Sequence, residues 1–412
     1  MKTEVLFAAI IRGNVIGKTG LPWVIKNVSG NSLTAVPAAG DAVLNISMNN
    51  EAEAENKITA GFKNFPGGKI PIKVIVNCSG KEYSYFCAPD FSGIEKINRG
   101  EIREAWVYNP VYTPVKGEAG NIGVSAKPPD ADFGASRSLV VKNRAALVTG
   151  GAQGFGEEIV RGLVSAGALV FIADLNIAGA EKLTEILNNE QGKKTAFAVE
   201  VNVADEASVE KMMETIALTT GGLDLCVSNA GVLRAAPILE QDIASFKFVT
   251  DINYTAFAIV TKHCGLLMKT QNLCAPSWTT EIIQINSKSG LDGSNKNGAY
   301  AGSKFGSIGL VQSFAKELVD FRIKVNAVCP GNFFDGPLWS DPEKGLFVQY
   351  LRTGKVPGAK TIGDVKAFYE AKVPMGRGCT GPDVIRAVLY LVEQLYETGQ
   401  ALPVTGGQVM LS

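Results

Sequence analysis

Three residues in the second half of the chain have side chains suited to moving a proton. Ser287, Tyr300 and Lys304 lie in the stretch IIQINSKSGLDGSNKNGAYAGSKFG, residues 282–306, at separations of thirteen and four. A tyrosine can remove a proton from an alcohol only if its pKa, about 10 in water, is lowered. Lys304 lies one helical turn from Tyr300, so its ammonium is predicted to favour the phenolate. Ser287 is predicted to hydrogen-bond the substrate oxygen, and ordinary capping or surface polarity is the alternative for all three.

A glycine-rich turn earlier in the chain could hold a dinucleotide. In LVTGGAQGFGEEIVRGL, Gly150, Gly154 and Gly156 lie between a predicted strand and a predicted helix. Glycine there permits a tight turn and a close approach to a pyrophosphate, which the helix N-terminus favours. Asp174 ends the next predicted strand, eighteen residues after Gly156. A carboxylate there binds ribose hydroxyls and repels a 2′-phosphate, which predicts NAD rather than NADP. A purely structural turn and a helix N-cap role for Asp174 are the alternatives.

These residues need a scaffold that brings strand ends and helix starts together. After residue 140, short apolar segments alternate with amphipathic ones, and strands are predicted at 145–149, 169–174, 196–201, 223–227, 282–286, 324–328 and 401–404. This alternation predicts an α/β fold, a doubly wound parallel Rossmann sheet. Ligands of such folds bind at the carboxyl ends of the strands.

The N-terminal third of the chain has a different pattern. A helix is predicted at EAEAENKITAGFKNF, and strands at KIPIKVIVNCSG and KEYSYFCAP around a Ser-Gly turn. Residues 1–112 are therefore predicted to form a smaller α+β domain, whose function stays open. Residues 113–139 are rich in Pro, Gly, Ala and Ser and are predicted to be a linker. Residues 140–412 would then be the NAD-binding Rossmann catalytic domain.

Composition excludes several classes of function. The 412-residue chain has 40 basic and 40 acidic residues, so no net field favours nucleic acid or an anionic membrane. Seven cysteines without a CxxC pair predict reduced thiols, and a single histidine, His263, argues against a metal site. The apolar run before Arg12 is too short for a signal peptide, and no run reaches the roughly 18 apolar residues of a membrane span. A cytoplasmic location is expected.

The motifs together resemble a known family. TGxxxGxG at 149–156, SNAG at 228–231, Ser287, YxxxK at 300–304 and PG at 330–331 occur in the order typical of short-chain dehydrogenases/reductases. The resemblance covers about residues 140–412. It implies an NAD-dependent oxidoreductase that interconverts a secondary alcohol and a ketone.

The resemblance also implies roles for individual residues. Lys304 would bind the nicotinamide ribose in addition to its catalytic role, and Asn253 would be a fourth catalytic residue that helps to hold a water. Asn229 would stabilise the central strand beside the cofactor. Asp335 stands where the family often has a threonine for the nicotinamide carboxamide, so that contact has no assigned residue. Further cofactor contacts are implied for Gln153, Phe155, Asn202, Val203, Asn229, Gly231, Gly331 and Phe333.

Shorter strings narrow the resemblance to a branch and a substrate. IIQINSKSG, KVPMGRGC and VTGGQVM resemble enzymes that interconvert sorbitol 6-phosphate and fructose 6-phosphate. Substrate and phosphate contacts are then expected from Lys288, Arg234 and Asn297, with Lys296 and Arg377 as further candidates. Oxidation of an unphosphorylated polyol or another secondary alcohol is one alternative, and a non-catalytic nucleotide-binding regulator is another.

Two further features follow from the same resemblance. Residues 332–373 are predicted to form a lid over the substrate, with a helix at DVKAFYEAKV. The family also implies a homo-oligomer, a tetramer or a dimer, with subunit contacts around Asn253 and Tyr300. The expected partner is a small polyol or sugar phosphate.

Overall fold

The computed structural model of the chain divides it into two compact units. One consists of Met1–Ser136, Ala217–Gly222 and Thr270–Ser277, and the other of Arg137–Ile216, Leu223–Lys269 and Trp278–Ser412. The residues that the structure describes are 9, 12, 23–29, 32–37, 44–49, 72–78, 81–87, 94–97, 140–273, 275, 278–343, 345–352, 354 and 356–410. The linker predicted at 113–139 lies outside them, so the predicted domain boundaries stay predictions.

The described strands of the first unit form an antiparallel sheet in chain order. They are Trp23–Ser29 (β1), Ser32–Pro37 (β2), Leu44–Asn49 (β3), Ile72–Cys78 (β4), Lys81–Cys87 (β5) and Ile94–Ile97 (β6). Cys78 pairs with Lys81 and Ile72 with Cys87, which confirms the two strands predicted on either side of the Ser-Gly pair. The helix predicted at 51–65 lies outside the described residues.

The second unit contains a seven-stranded parallel sheet. Its strands are Ala145–Thr149 (β7), Leu169–Asp174 (β8), Ala196–Glu200 (β9), Leu225–Ser228 (β10), Thr280–Ile285 (β11), Ile323–Pro330 (β12) and Ala401–Val404 (β13). The order across the sheet is β13-β12-β11-β10-β7-β8-β9, which reverses direction between β7 and β10. This is the doubly wound Rossmann topology, so the predicted fold class is confirmed.

Helices connect the strands of this sheet. The α-helices are Gly154–Ser165 (α1), Ile177–Gln191 (α2), Glu206–Thr220 (α3), Ile243–Thr250 (α4), Ala256–Leu273 (α5), Gly298–Leu318 (α6), Pro337–Ser340 (α7), Leu346–Arg352 (α8), Ile362–Glu370 (α9) and Gly381–Glu393 (α10). Helix α1 buries Ile159 and Leu163 in the core that also contains Val384 and Val388 of α10. Among the described residues, no helix has the length and apolarity needed to cross a bilayer.

Four strands of this sheet differ from their predicted bounds: β9 ends at 200 rather than 201, β10 spans 225–228 rather than 223–227, and β11 and β12 differ near buried charges. Strand β11 begins at Thr280 rather than 282, and β12 begins at Ile323 and extends to Pro330. Glu281 and Lys324 lie within these starts, and both are buried as an ion pair with an N–O distance of 2.6 Å. A charge in a buried strand is stable only with such a partner, and the partner belongs to a strand distant in sequence.

The segment predicted to be a lid has a small core of its own. Phe334, Trp339, Phe347 and Val365 are buried together, and helix α9 confirms the helix predicted at DVKAFYEAKV. Helix α9 begins with a capping box between Thr361 and Asp364.

Candidate active site

The glycine-rich turn after β7 has the geometry of an anion cradle. Gly150 and Gly154 have φ angles of 62° and 60°, the left-handed region that glycine tolerates best. A Cβ added at Gly156 would lie 1.9 Å from the Gly150 carbonyl oxygen. Gln153 precedes α1 as its N-cap residue without a side-chain hydrogen bond to the helix. The first backbone N–H groups of α1 are therefore available to a phosphate, so this turn fits a dinucleotide.

Asn229 joins the end of β10 to the end of β7. Its Nδ2 donates to the carbonyl oxygens of Thr149 and Gly150, both at 3.0 Å. The Thr149 hydroxyl accepts from the N–H groups of Asn229 and Ala230 at 3.0 and 3.2 Å. These bonds hold the two central strand ends together, which is the role that the resemblance implied for Asn229. Thr149 is a structural contributor that the sequence analysis did not single out, although it opens the TGxxxGxG motif.

Asp174 ends β8 with its carboxylate toward the glycine-rich turn. Oδ2 accepts from the N–H of Ala152 at 3.0 Å, and Oδ1 accepts from the N–H of Asn176 at 2.9 Å. Asn176, not Asp174, caps α2 by accepting from the N–H of Gly179. The helix N-cap alternative for Asp174 is therefore wrong. Each carboxylate oxygen keeps acceptor capacity for a ribose hydroxyl.

Asn202 and Val203 follow β9 along the same edge of the sheet. Asn202 is exposed, and its Oδ1 accepts from the N–H of Ala204 at 3.2 Å. Val203 is almost fully buried. The side-chain Nδ2 of Asn202 can thus donate to a ligand, whereas Val203 has little surface that a ligand could contact.

The three residues with proton-transfer chemistry converge at the end of β11. Ser287 follows the strand, and Tyr300 and Lys304 lie on α6, as the spacing predicted. The Lys304 Nζ lies 5.7 Å from the centroid of the Tyr300 ring and donates to the Ile285 carbonyl oxygen at 2.9 Å. The Ser287 Oγ accepts from the N–H of Ser289 at 3.1 Å.

Burial determines the pKa values in this cluster. Burial raises the pKa of Tyr300, and a hydrogen bond with the Ser287 side chain opposes that rise. Burial also lowers the pKa of Lys304 to about 8. Without a cofactor, desolvation penalises both charged forms, so the net shift of the Tyr300 pKa is upward. The prediction that the Lys304 ammonium, together with an oxidised nicotinamide, favours the phenolate stays a prediction.

Asn253 lies in a π-helical turn, Asp251–Thr255, between α4 and α5. Its Oδ1 accepts from the N–H of Val232 at 2.8 Å, and its Nδ2 donates to the Val232 carbonyl at 2.9 Å. A cavity of about 10 Å³ beside it is also lined by Ser228 and Lys304. This is space for about one water molecule, which agrees with the water-holding role implied for Asn253.

The segment containing Gly231 lies against the catalytic residues. A Cβ added at Gly231 would lie 3.2 Å from the Asn253 Oδ1 and 3.7 Å from the Lys304 Nζ. Glycine therefore leaves the space in front of both groups open.

The start of the lid lies over the glycine-rich turn. The rings of Phe155 and Phe333 stack with their centroids 4.3 Å apart and an angle of 14° between planes. Gly331 precedes this stack at the end of β12, where its N–H donates to the Val404 carbonyl at 2.9 Å. Asp335 is exposed and forms an ion pair with Lys366 of α9 at 2.8 Å. Asp335 thus connects two parts of the predicted lid through this ion pair, and its carboxylate already has a partner.

The residues proposed for substrate binding fall into two groups. Burial lowers the pKa of the partly buried Lys288, and the charge of Asp292 opposes that shift, but no hydrogen bond or ion pair of its ammonium occurs among the described residues. The Arg234 guanidinium stacks on the Phe248 ring at 4.1 Å, and the Oδ1 of Asn297 is buried without a hydrogen-bond donor. Lys288 and Arg234 therefore keep polar groups free for a ligand, whereas the Asn297 Oδ1 is not accessible, and exposed Lys296 has no defined contact with the described residues.

Arg377 does not belong with them. Its guanidinium binds the Asp383 carboxylate through two contacts of 2.6 and 3.0 Å and also donates to the Gly378 carbonyl. Arg377, with the N-cap hydrogen bonds of α10, lowers the pKa of Asp383 to about 2. Because the charge of Arg377 is already balanced by Asp383, Arg377 is a weaker candidate for a substrate contact, and that role stays a prediction.

Comparison with known proteins gives a consistent result for residues after the N-terminal third. The family model for short chain dehydrogenases matches residues 144–339. Sorbitol-6-phosphate 2-dehydrogenase of Escherichia coli K12 is 32% identical over 271 residues, 65% of this chain and 99% of that relative. A 3-oxoacyl-(acyl-carrier-protein) reductase of Aquifex aeolicus is 31% identical over 271 residues, 65% of this chain and 98% of the relative. The crystal structure of sorbitol-6-phosphate 2-dehydrogenase SrlD from Erwinia amylovora is 35% identical with a TM-score of 0.59, covering 65% of this chain and 100% of that one.

Proposed function

Because the chain belongs to the short-chain dehydrogenase/reductase family and is an oxidoreductase acting on CH–OH groups, we propose that it interconverts sorbitol 6-phosphate and fructose 6-phosphate with NAD. The observation that carries the choice of substrate is Lys288, a partly buried ammonium directly after Ser287 with no hydrogen bond or ion pair among the described residues. Similarity to two sorbitol-6-phosphate 2-dehydrogenases supports the same choice.

Tyr300 is the proton acceptor in this mechanism, and Ser287 orients the reacting oxygen. The cofactor, when bound, supplies or accepts the hydride. During oxidation the substrate hydroxyl gives its proton to the Tyr300 oxygen, and during reduction the Tyr300 hydroxyl returns it. With a pKa of about 8, Lys304 is mostly charged at neutral pH, and its ammonium together with the positive charge of an oxidised nicotinamide would stabilise the phenolate. The Ile285 carbonyl holds the ammonium in place.

The glycine-rich turn, α1 and Asp174 would hold the cofactor. The free N–H groups at the start of α1 suit the pyrophosphate. The carboxylate of Asp174 suits the two ribose hydroxyls of NAD and repels the 2′-phosphate of NADP. The next two residues, Leu175 and Asn176, carry no positive charge that would offset this repulsion. Members of the family bind NAD or NADP, and these residues favour NAD.

Lys288 and Arg234 would bind the phosphate of the substrate. A phosphate would give the Lys288 ammonium a hydrogen-bonded partner, which it lacks among the described residues. Stacking on Phe248 uses the face of the Arg234 guanidinium and leaves its N–H edge free. Asn297 stays a proposed contact for a polyol hydroxyl, although its Oδ1 is buried in the chain alone.

Substitution of Lys288 and of Arg234 tests the assignment of a phosphorylated substrate. A hydrogen bond to a charged group contributes about 1.5–3 kcal/mol. Lys288→Ala or Arg234→Ala should therefore raise the KM for sorbitol 6-phosphate about 10- to 150-fold without a comparable change for free sorbitol. Lys316→Ala, which removes an exposed charge elsewhere on α6, is the matched control and should change neither. Equal kinetics with sorbitol and sorbitol 6-phosphate would overturn the phosphate assignment, and turnover of a 3-oxoacyl thioester alone would overturn the proposal.

The organisation of the chain is proposed on the same basis. We propose a catalytic domain at residues 140–412, a linker at 113–139 and a separate domain at 1–112, because the similarity to known proteins covers only 65% of the chain. A cytoplasmic homo-oligomer, tetramer or dimer, is proposed from the family resemblance. Light scattering during size-exclusion chromatography tests the oligomeric state, and a monomeric mass would reject it.

A further inference from the structure

Asn286 connects the two catalytic segments of the site. Its side chain is 4% exposed and lies between the end of β11 and helix α6. The Oδ1 accepts from the N–H of Ser287 at 2.8 Å. The Nδ2 donates to the carbonyl of Lys304 at 3.0 Å and to the Gln284 Oε1 at 2.8 Å. One side chain therefore contacts the backbone of both residues that flank the reacting hydroxyl of Tyr300.

The seam between the end of β11 and helix α6, where Asn286 lies, is tightly packed. A Cβ added at Gly290 would lie 2.1 Å from the Asn286 Oδ1 and 3.1 Å from the Lys304 carbonyl group. The Lys304 ammonium makes a second connection across the same seam, to the Ile285 carbonyl at 2.9 Å. Strand end and helix are thus joined by two hydrogen bonds with no space between them. Neither segment can move alone without breaking one of these bonds.

We propose that Asn286 is a positioning residue that fixes Ser287 relative to Tyr300 and Lys304. The inference rests on the proposed function, because it assigns Asn286 to the reaction performed by those three residues. A displacement of reacting groups by about 1 Å can cost on the order of 10²-fold in rate. Replacing the Asn286 side chain removes the only described side-chain bond to the Ser287 N–H and leaves the Lys304–Ile285 hydrogen bond to hold α6 against the strand end.

A purely structural role would also be consistent with burial and three hydrogen bonds, so a control is needed. Asn326 in the neighbouring strand β12 provides it. Asn326 is 0% exposed, donates to Glu281 and to the Glu397 carbonyl at 2.8 and 3.1 Å, and accepts from the Gln400 N–H at 3.0 Å. Asn326 therefore matches Asn286 in residue type, burial and number of bonds but touches no catalytic segment.

The test compares full-length Asn286→Ala, Asn286→Ser and Asn326→Ala in unfolding, steady-state kinetics and pH profile. Asn286→Ala should lower kcat about 10²-fold, change the KM of the alcohol by less than about threefold and displace the pH profile of kcat. Asn286→Ser keeps a hydroxyl that can accept from Ser287 and should recover part of the loss. Asn326→Ala should lose stability and keep wild-type kcat and pH profile below its unfolding temperature.

Two results would overturn the proposal. One is a wild-type kcat and pH profile in Asn286→Ala, and the other is an equal loss of kcat in Asn326→Ala. If Asn286→Ala does not fold, Asn286→Ser decides by the same criteria.

A second measurement separates this inference from the proposed function. If the wild-type protein oxidises none of the alcohols tested, the proposed function fails, but amide hydrogen exchange still reports on Asn286. Exchange at residues 298–306 should be faster in the Asn286 variants and unchanged in Asn326→Ala. Unchanged exchange in the Asn286 variants would reject the positioning role.

Discussion

A methyl group added to Gly156 has no room in the glycine-rich turn. In Gly156→Ala the new Cβ would lie 1.9 Å from the Gly150 carbonyl oxygen and 2.7 Å from the Asn229 Nδ2. A Cβ atom does not approach another heavy atom within 3.0 Å, so the two sides of the turn must separate by about 1 Å. The Gly150 carbonyl also accepts from Asn229 at 3.0 Å, so this separation strains that bond as well.

The expected loss can be worked out from the bonds at risk. Displacing the turn by about 1 Å moves one backbone N–H out of reach of a phosphate oxygen, and a hydrogen bond to a charged group contributes about 1.5–3 kcal/mol. At 1.4 kcal/mol per factor of ten, the Kd for NADH should rise about 10- to 150-fold. Overpacking should also reduce the free energy of unfolding by about 1–3 kcal/mol.

Fluorescence titration with NADH measures the affinity, and urea unfolding measures the stability. Gly309→Ala is the matched control, because nothing lies within 4 Å of a Cβ added at that position on α6. It should leave the NADH affinity unchanged and stabilise the helix by about 0.5–1 kcal/mol. Wild-type NADH affinity in folded Gly156→Ala would refute the assignment of this turn to the cofactor.

Three further predictions concern the proton acceptor, the cofactor and pH. Tyr300→Phe should lower kcat about 10²- to 10⁴-fold with little change in the NADH Kd, whereas unchanged turnover would remove Tyr300 from the mechanism. Asp174→Ala removes a like charge and should lower the NAD to NADP ratio of kcat/KM at least about tenfold, and an unchanged ratio would contradict the cofactor assignment. Burial raises the pKa of Glu281 from 4.5 to about 7, so the folded state binds this proton more tightly than the unfolded state. The stabilisation is present below pH 4.5 and is lost as pH rises to about 7. The free energy of unfolding in urea should therefore fall over this pH range in the wild type and not in Glu281→Gln, and an equal pH dependence in both would reject the prediction.

The parts of the fold that depend on local pattern were predictable from the sequence. Strands β7, β8 and β13 have the predicted bounds, because each is a short apolar run between loops or turns. The start of β11 was missed because Glu281 is an acidic residue in a buried strand. Its partner Lys324 is distant in sequence, so its tolerance of burial depends on a non-local pair.

The candidate site shows the same division between local and non-local effects. Helical spacing placed Tyr300 and Lys304 together, but it gave no information on burial, which determines the direction of both pKa shifts. Residue type alone also does not show which of several neighbouring polar side chains forms a given hydrogen bond or ion pair. Asn176 rather than Asp174 caps α2, and Asp383 engages Arg377. Asn286 could have been suspected as a polar residue at the end of an apolar strand, but its contact with α6 requires the folded chain.

Steady-state reduction of NAD by the full-length protein, with sorbitol 6-phosphate and with sorbitol, decides whether the substrate is a polyol phosphate. We expect turnover of sorbitol 6-phosphate with NAD, and a kcat/KM for sorbitol that is lower by at least about tenfold, since the charge-assisted contacts to the phosphate are absent. Lys288→Ala should reduce the difference in kcat/KM between the two polyols. Equal kcat/KM for the two polyols, or no turnover of either, would refute the proposed function.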